Sequence, residues 1–425
     1  MMMSNSKKQV MLINMGGRGN IGDRAMALNV IRQIRDGAPD VRILVGPHTL
    51  DFMMNEFKLT RYPYLSHCLS RLTNFNLKIP FLSWLQRAME SVFYVLNSLF
   101  ILSLIILKRY LKIDFGWSFM EAELARSICE SDVIFFVGGG YITDVGQFES
   151  RTNLVMALFG ILARKKVIMS GQGLGPFDSW FSEKLLKIVI PHLDLITFRD
   201  TEGSEELLKK LGIVAKNSEA VGDDAMSLPI LEVENKEDKW NGVKLGVNFR
   251  ISPFTHNLDK KVEEFTEFLS IASNELGWQI NFFIFETWRP WEEGLIHSII
   301  EKGKLKNVVI HKTEDPREAL YLTGKCDIAI GISYHFIVFA LKLGVPVIGL
   351  YSGQYYKGKM TGLLSWYDKK DWAVPTDEID SVMLKEACQK LLDEKPSNRE
   401  QLITKTIELA LRTRKTIDLA LKQLN

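Results

Sequence analysis

The chain has 425 residues, 46% of them hydrophobic and 24% charged, enough to bury a large core and to divide into two domains. Its 53 basic and 51 acidic side chains leave a formal net charge of +2, which removes the bulk electrostatic case for a nucleic-acid partner and leaves small anions open. The four cysteines, Cys68, Cys129, Cys326 and Cys388, stand far apart and form no close pair of the zinc or redox kind, so reduced thiols are expected.

Residues 1–8 are polar and lead straight into an apolar strand at 9–14, without the apolar stretch of a secretory signal, so the expected location is the cytoplasm. After that strand comes Gly16-Gly17-Arg18-Gly19-Asn20-Ile21-Gly22-Asp23, a glycine-rich turn opening a helix. Ile21, Ala25, Leu28, Ile31 and Ile34 recur at helical spacing until Gly37 and Pro39 end the run. Such a turn presents helix N-terminal amides to an anion, although its glycines serve conformation equally well.

A second strand is expected at 42–46. Residues 91–107 then carry no charge and are strongly apolar, with Arg87 before them and Lys108, Arg109 and Lys112 after. Three readings fit: a core helix, a helix lying in the headgroup region of a membrane, or a spanning helix, for which the run falls just short of ~18 residues.

A continuous apolar strand at 132–137 runs into Gly138-Gly139-Gly140. Bare amides there would let a ligand lie against the backbone, or the glycines only relieve crowding between domains. The strand-then-turn pattern repeats at 166–170 before Gly171-Gln172-Gly173-Leu174-Gly175-Pro176, and at 194–198 before Arg199-Asp200. An arginine at a strand end can grip a carboxylate or phosphate with its fork, or simply pair with a neighbour. The charged run 232–242 is the expected linker.

Beyond the linker, strands at 244–249, 279–285, 307–310, 327–330 and 345–350 alternate with helical patterns, and Arg250 stands at the end of the first. Both halves therefore read as α/β with parallel sheets. The expected bounds are 1–235 for an N-terminal domain with an apolar helical insertion near 80–112, 243–395 for a second domain, and 396–425 for a terminal amphipathic helix. A Ser397/Glu400 capping box would begin that last helix. The stretch Gly331-Ile332-Ser333-Tyr334-His335, with its short apolar helix ending at Gly344, puts a serine and a histidine at the carboxyl edge of a sheet, where open α/β folds bind ligands.

Taken in order, several pieces resemble the polysaccharide pyruvyl transferase family. They are Gly19-Asn20-Ile21-Gly22-Asp23-Arg24-Ala25, the strand ending at Gly138-Gly139-Gly140, Gly173-Leu174-Gly175-Pro176 and Phe198-Arg199-Asp200. Val221-Gly222-Asp223-Asp224-Ala225, Gly246-Val247-Asn248-Phe249-Arg250, and the 331–351 stretch followed by Tyr356, Lys359 and Gly362 complete the set. The resemblance implies two Rossmann-like domains in a GT-B-like arrangement with the active site in the interdomain cleft. It implies transfer of a pyruvyl group from phosphoenolpyruvate to sugar hydroxyls of a surface polysaccharide or its lipid-linked precursor, commonly as a cyclic ketal, without metal or other cofactor.

By the same resemblance His335 is the general acid and Asp23 the general base, although an acid at a helix N-terminus also stabilises the dipole. Arg199 and Lys359 are anion-binding cations, and Asn20, Gly139, Gly140, Arg250, Ser333 and Tyr356 complete the expected substrate-binding set. Many members carry arginine two residues before the motif histidine, where this chain has Ser333. A hydroxyl cannot replace a bidentate cation, so Arg199, Arg250 or Lys359 must take the donor carboxylate, or the donor differs. The alternatives are a GT-B glycosyltransferase using a nucleotide-sugar and a non-catalytic sugar-binding relative. Membrane contact through 91–107 would be peripheral and would place the protein at the inner face of the cell membrane.

Overall fold

The computed structural model describes residues 7–14, 19–63, 65, 83–113, 116–201, 203–231, 240–249, 258–287 and 291–424. Arg250, Cys68 and most of the expected linker lie outside the described residues. Two sheets organise the rest. The first contains β1 (Gln9–Ile13), β2 (Arg42–Val45), β3 (Thr60–Arg61), β4 (Val133–Phe136), β5 (Gly139–Ile142), β6 (Lys166–Leu174), β7 (Leu195–Phe198) and β8 (Ser218–Ala220). Their order is β3-β2-β1-β4-β6-β7-β8, with β5 added onto the end of β6. The second contains β9 (Lys244–Asn248), β10 (Gln279–Phe283), β11 (Val308–His311), β12 (Ile328–Gly331), β13 (Val347–Tyr351) and β14 (Ala373–Pro375), in the order β11-β10-β9-β12-β13-β14.

All strand pairs in both sheets are parallel. Both orders reverse at one point, between β1 and β4 and between β9 and β12. Loops on either side of such a reversal diverge and leave a crevice at the carboxyl ends of the strands. This is the doubly wound arrangement expected from the alternating pattern, occurring twice.

The helices that shape the cleft and the outer face are α1 (Ile21–Gly37), α2 (Ser83–Tyr110), α3 (Met120–Glu130), α4 (Gln147–Leu162), α5 (Tyr334–Lys342), α6 (Gly353–Ser365) and α7 (Lys395–Leu424). One core runs without a break from Val10 and Ile31 through Phe265 and Phe339 to Leu409 and Ile417, joining the two sheets. The opposite side of the first sheet, with Met11, Ile134 and Met169, packs in a second core that includes Ile101 and Ile105 of α2.

Helix α7 crosses from the second domain back to the first. Tyr367 Oη and Thr406 Oγ1 meet at 2.9 Å, and Leu409 and Leu421 pack where Gly222 and Gly37 leave room. Its start differs from the expected capping box. The helix begins at Lys395, so Ser397 already sits in its first turn and donates through Oγ to Glu394 O at 3.0 Å.

Helix α2 is half of what each reading supposed. Ile101, Leu104 and Ile105 are sealed, while Val92, Leu96 and Leu99 are each 56% exposed. Glu90–Tyr110 is long and apolar enough to cross a membrane, with a mean hydropathy of 2.0, but one side of it is packed on protein.

Candidate active site in the interdomain cleft

The first wall of the cleft is the N-terminus of α1. Asn20 caps it, its Oδ1 accepting from the amides of Gly22 at 2.9 Å and Asp23 at 3.2 Å. The same segment is stitched to the second domain: Ile21 N donates to Phe285 O at 3.0 Å, Thr287 N donates to Gly19 O at 2.8 Å, and Asn20 bridges Glu286. Asp23 is therefore held at a junction of both domains.

The opposite wall is the turn after β12. Ser333 N donates to Asn248 Oδ1 at 3.1 Å, and Asn248 Nδ2 donates to Phe283 O at 2.9 Å, so neighbouring strands of the second sheet fix the start of α5. His335 then projects against α1 so closely that a Cβ on Gly22 would lie 2.0 Å from its Cγ and Nδ1. The other nitrogen, Nε2, faces Asp223 Oδ2 at 3.6 Å.

Asp223 is the electrostatic hinge of the site. Its Oδ2 also faces Arg199 Nη1 at 3.8 Å, and its Oδ1 accepts from Ala225 N at 2.9 Å. Asp223, Arg199 and His335 are only 1, 4 and 7% exposed, so their charges interact with little screening. Burial alone would raise the Asp223 carboxyl, but His335, the Arg199 guanidinium and the Ala225 amide outweigh it and hold the group below the ordinary carboxylate range.

The far edge of the Arg199 fork meets a second cation. A Cβ on Gly140 would lie 2.6 Å from Arg199 Nη2 and 2.8 Å from Lys359 Nζ, so both converge on that glycine from opposite domains. Arg199 stacks over the Tyr334 ring at 4.3 Å, and Lys359 over the rings of Tyr355 at 4.1 Å and Tyr356 at 5.8 Å. Trp366 Nε1 donates to Arg199 O at 2.8 Å, fixing the backbone beneath the guanidinium. A cavity of ≈ 190 Å³ opens beside these groups, walled by Gly173, Arg199, Asp200, Tyr334, Tyr355 and Lys359.

Asp23 completes the arrangement. Burial raises its carboxyl above the usual range, and His335, a hydrogen bond with Tyr141, Arg199 and Lys359 only partly offset that. A carboxyl raised above its ordinary range, a histidine, and two cations at one place can exchange protons and hold a small dianion or trianion. No group of three or more metal-ligating side chains occurs among the described residues.

Residues 20–354 match the family model described as Polysaccharide pyruvyl transferase. The chain belongs to that family. It is accordingly an enzyme and a transferase. Among solved structures, a putative UDP-N-acetylglucosamine 2-epimerase from Listeria monocytogenes is similar at a TM-score of 0.58 and 14% identity, over 93% of this chain and 91% of that one. UDP-GlcNAc 2-epimerase from Neisseria meningitidis is similar at 0.57 and 12% identity, over 98% and 100% of the two chains. Anabaena Alr3699/HepE, solved with UDP and glucose, is similar at 0.53 and 14% identity, over 99% of each chain. At such identities the likeness establishes the fold, two parallel-sheet α/β domains of GT-B type. No curated protein matches the chain.

Within this pyruvyl transferase family member the structure brings together Asp23, Gly140, Arg199, His335, Tyr356 and Lys359. Gly140 leaves space for two cations, and Gly139, at φ +148, has no room for a Cβ beside the Tyr141 ring. Asn20 Oδ1 is committed to the α1 cap. Ser333 is placed through its backbone as the first residue before α5, and its hydroxyl makes no cap hydrogen bond. Asp223, Tyr141, Tyr355 and Gly22 were not among the expected site residues. The paired acids of the Val221–Ala225 stretch were the available signal for Asp223.

Asp224, beside Asp223, has the opposite character. It accepts from Ser170 Oγ at 2.6 Å and Gly138 N at 2.8 Å, and burial, aided by Asp223, pushes it up to about 7. The folded protein thus holds a proton that the unfolded chain releases from about 3.8, so this group's contribution to stability falls as pH rises from about 4 to about 7. Asp224→Asn, which keeps the shape without the charge, is expected to flatten that fall. Thermal melts of both proteins across this range check it, and parallel curves would count against the assignment.

Proposed function

We propose that this transferase moves the pyruvyl group of phosphoenolpyruvate to sugar hydroxyls of a surface polysaccharide or its lipid-linked precursor, at the cytoplasmic side of the cell membrane. The observation that carries the reading is the meeting of Arg199 and Lys359, from opposite domains, over Gly140 and within electrostatic reach of Asp23. Two fixed cations suit a donor bearing both a carboxylate and a phosphate, and they supply the charge that Ser333 lacks. The ≈ 190 Å³ cavity walled by Arg199 and Lys359 is small beside the ~300–1,000 Å³ usual for larger ligands, which favours a three-carbon donor there.

In the proposed sequence His335 delivers a proton to the methylene carbon of the donor, while Asp223, facing its Nε2, balances the charge. The electron-poor C2 is attacked by a sugar hydroxyl whose proton passes to Asp23. The C2–O bond to phosphate then breaks, with Arg199 and Lys359 taking up the developing charge. A second hydroxyl adds to C2, its proton leaves with phosphate, and the ketal closes. The balance is one proton gained by the methyl group, one by phosphate, and two lost from the acceptor.

Lys359→Ala is expected to raise the KM for phosphoenolpyruvate about 10- to 100-fold, the equivalent of ~1.5–3 kcal/mol for a charge-assisted hydrogen bond. Steady-state phosphate release with an oligosaccharide acceptor, together with the acceptor's mass, measures it and tests the reading as a whole. The rival, a glycosyltransferase consuming a nucleotide-sugar, draws on the solved neighbour that holds UDP and glucose. Turnover with a UDP-sugar and none with phosphoenolpyruvate would establish the rival.

A further inference from the structure

Helix α2 takes no part in the site, yet it carries a long run of exposed apolar side chains. Its inner side is closed by Ile101, Leu104 and Ile105, which are 0–1% exposed. On its outer side Val92, Val95, Leu96, Leu99, Phe100 and Ile106 are 43–56% exposed, at spacings of three, four and seven that make one stripe. Soluble monomers rarely leave so continuous an apolar strip in water.

Three features say what covers it. The first is an aromatic fringe: Phe100 stacks on Phe119 at 5.9 Å and Phe119 on Trp117 at 5.6 Å, and Trp117 is half exposed. Such rings favour the boundary between headgroups and acyl chains. The second is charge. Arg109 and Lys112 are exposed at the end of the stripe, and Arg164 lies over the Tyr110 ring at 5.2 Å, while Lys108 is paired with Glu130. Unneutralised cations beside an apolar stripe complement anionic headgroups.

The third is continuity with the cleft. Tyr94 of α2 meets Phe148 edge-on at 6.0 Å, and Phe148 and Val145 are 52 and 42% exposed. These two follow β5, whose Gly140 faces Arg199 and Lys359. Glu149, next in sequence, is close enough to Asp23 for that charge to help burial raise its own carboxyl. The apolar surface therefore runs onto the segment after β5, within electrostatic reach of Asp23.

We propose that the outer face of α2 and its aromatic fringe lie flat on an anionic lipid bilayer, with the mouth of the cleft turned to the membrane surface. A spanning role is incompatible with the sealed inner face. The surface contact stands on the helix itself. That it presents a lipid-linked acceptor to the site rests on the transferase reading above.

The test is co-sedimentation of the full chain with vesicles containing phosphatidylglycerol, and with vesicles of phosphatidylcholine alone. Binding to the anionic vesicles is expected, with at least a five-fold loss for Leu96→Glu/Leu99→Glu and for Arg109→Glu/Lys112→Glu, both exposed pairs, and with unchanged melting curves. Absence of binding to anionic vesicles would overturn the proposal. So would a wild-type dimer that Leu96→Glu/Leu99→Glu dissociates while vesicles bind neither protein, since the stripe would then join two copies. Vesicle binding without turnover of phosphoenolpyruvate would leave the lipid contact standing and remove the transferase reading. Turnover on a soluble acceptor without vesicle binding would do the reverse.

Discussion

Gly22→Ala is expected to abolish most activity and to cost about 1–3 kcal/mol of stability, the usual range for forcing a methyl group into a packed core. The added Cβ would fall 2.0 Å from two atoms of the His335 ring, and neither partner can retreat. Gly22 is in the first turn of α1, held by the Asn20 cap and by the backbone bond from Ile21 to Phe285. His335 is in the first turn of α5, which the Ser333–Asn248–Phe283 chain of bonds pins to the second sheet. Relief has to come from turning the imidazole away from Asp223 or from parting the two domains. Either removes the proton donor from its place, and a positioned acid contributes ~10²–10⁴-fold to rate.

A double-mutant cycle separates this cause from a general helix effect. In a His335→Ala background the Gly22→Ala penalty is expected to fall to a few tenths of a kcal/mol, because the methyl group then enters vacated space. Alanine is also the better helix former, so no residual penalty comes from propensity. Equal penalties in both backgrounds, read from denaturant melts, would show that the contact is not what requires glycine.

The same contact explains what could and could not be read from the chain. The strand-turn-helix units around residues 19–25, 138–140, 199–200 and 331–335 were legible because period, glycine punctuation and apolar runs are local signals. They put Asp23, Arg199 and His335 at strand ends or helix starts, whereas Lys359, in the middle of α6, came only from the family resemblance. The role of Gly22 was not legible, since its reason is an imidazole more than three hundred residues away in the chain. For Gly140 the sequence left two readings open, bare amides or relief of crowding, because its neighbours, Arg199 and Lys359, arrive from two other elements.

Strand β5 was missed because Gly139-Gly140-Tyr141-Ile142 has turn composition and pairs only with the irregular end of β6. The exposure of α2 was equally hidden. Composition makes a helix apolar all round, and packing on α3, α4 and the core of the first sheet decides that one face is covered and the other left in solvent. Helix α7 began early for a local reason, the break at Glu394 after the preceding helix, which outweighed the capping pair.

Asp223→Asn is expected to lower stability by about 3–5 kcal/mol and kcat by at least ~10²-fold, through loss of charge alone. Asparagine keeps the shape and can still accept from Ala225 N, but it leaves Arg199 buried with no carboxylate at 3.8 Å and His335 with none at 3.6 Å. Removing one member of a buried set is costly because the others stay desolvated. The pH dependence gives the sign. Asp223 is held below the ordinary carboxylate value of 3.8 in the folded protein, so the unfolded chain takes up its proton first as pH falls. Its contribution is full above that value and is lost as pH drops through the folded-state value. The stability gap between Asp223→Asn and the wild type should therefore be present at neutral pH and close under acid conditions, below the ordinary carboxylate value of 3.8. Asp224 acts in the window from about 4 to about 7 and with the opposite sign. Urea titrations of Asp223→Asn and Asp224→Asn at several pH values resolve the two adjacent acids: the first variant should be weaker throughout the neutral range, the second relatively stronger as pH rises. If both variants follow one curve, the division of the pair into a charged acid that orients His335 and Arg199 and a neutral acid that braces Gly138 is wrong.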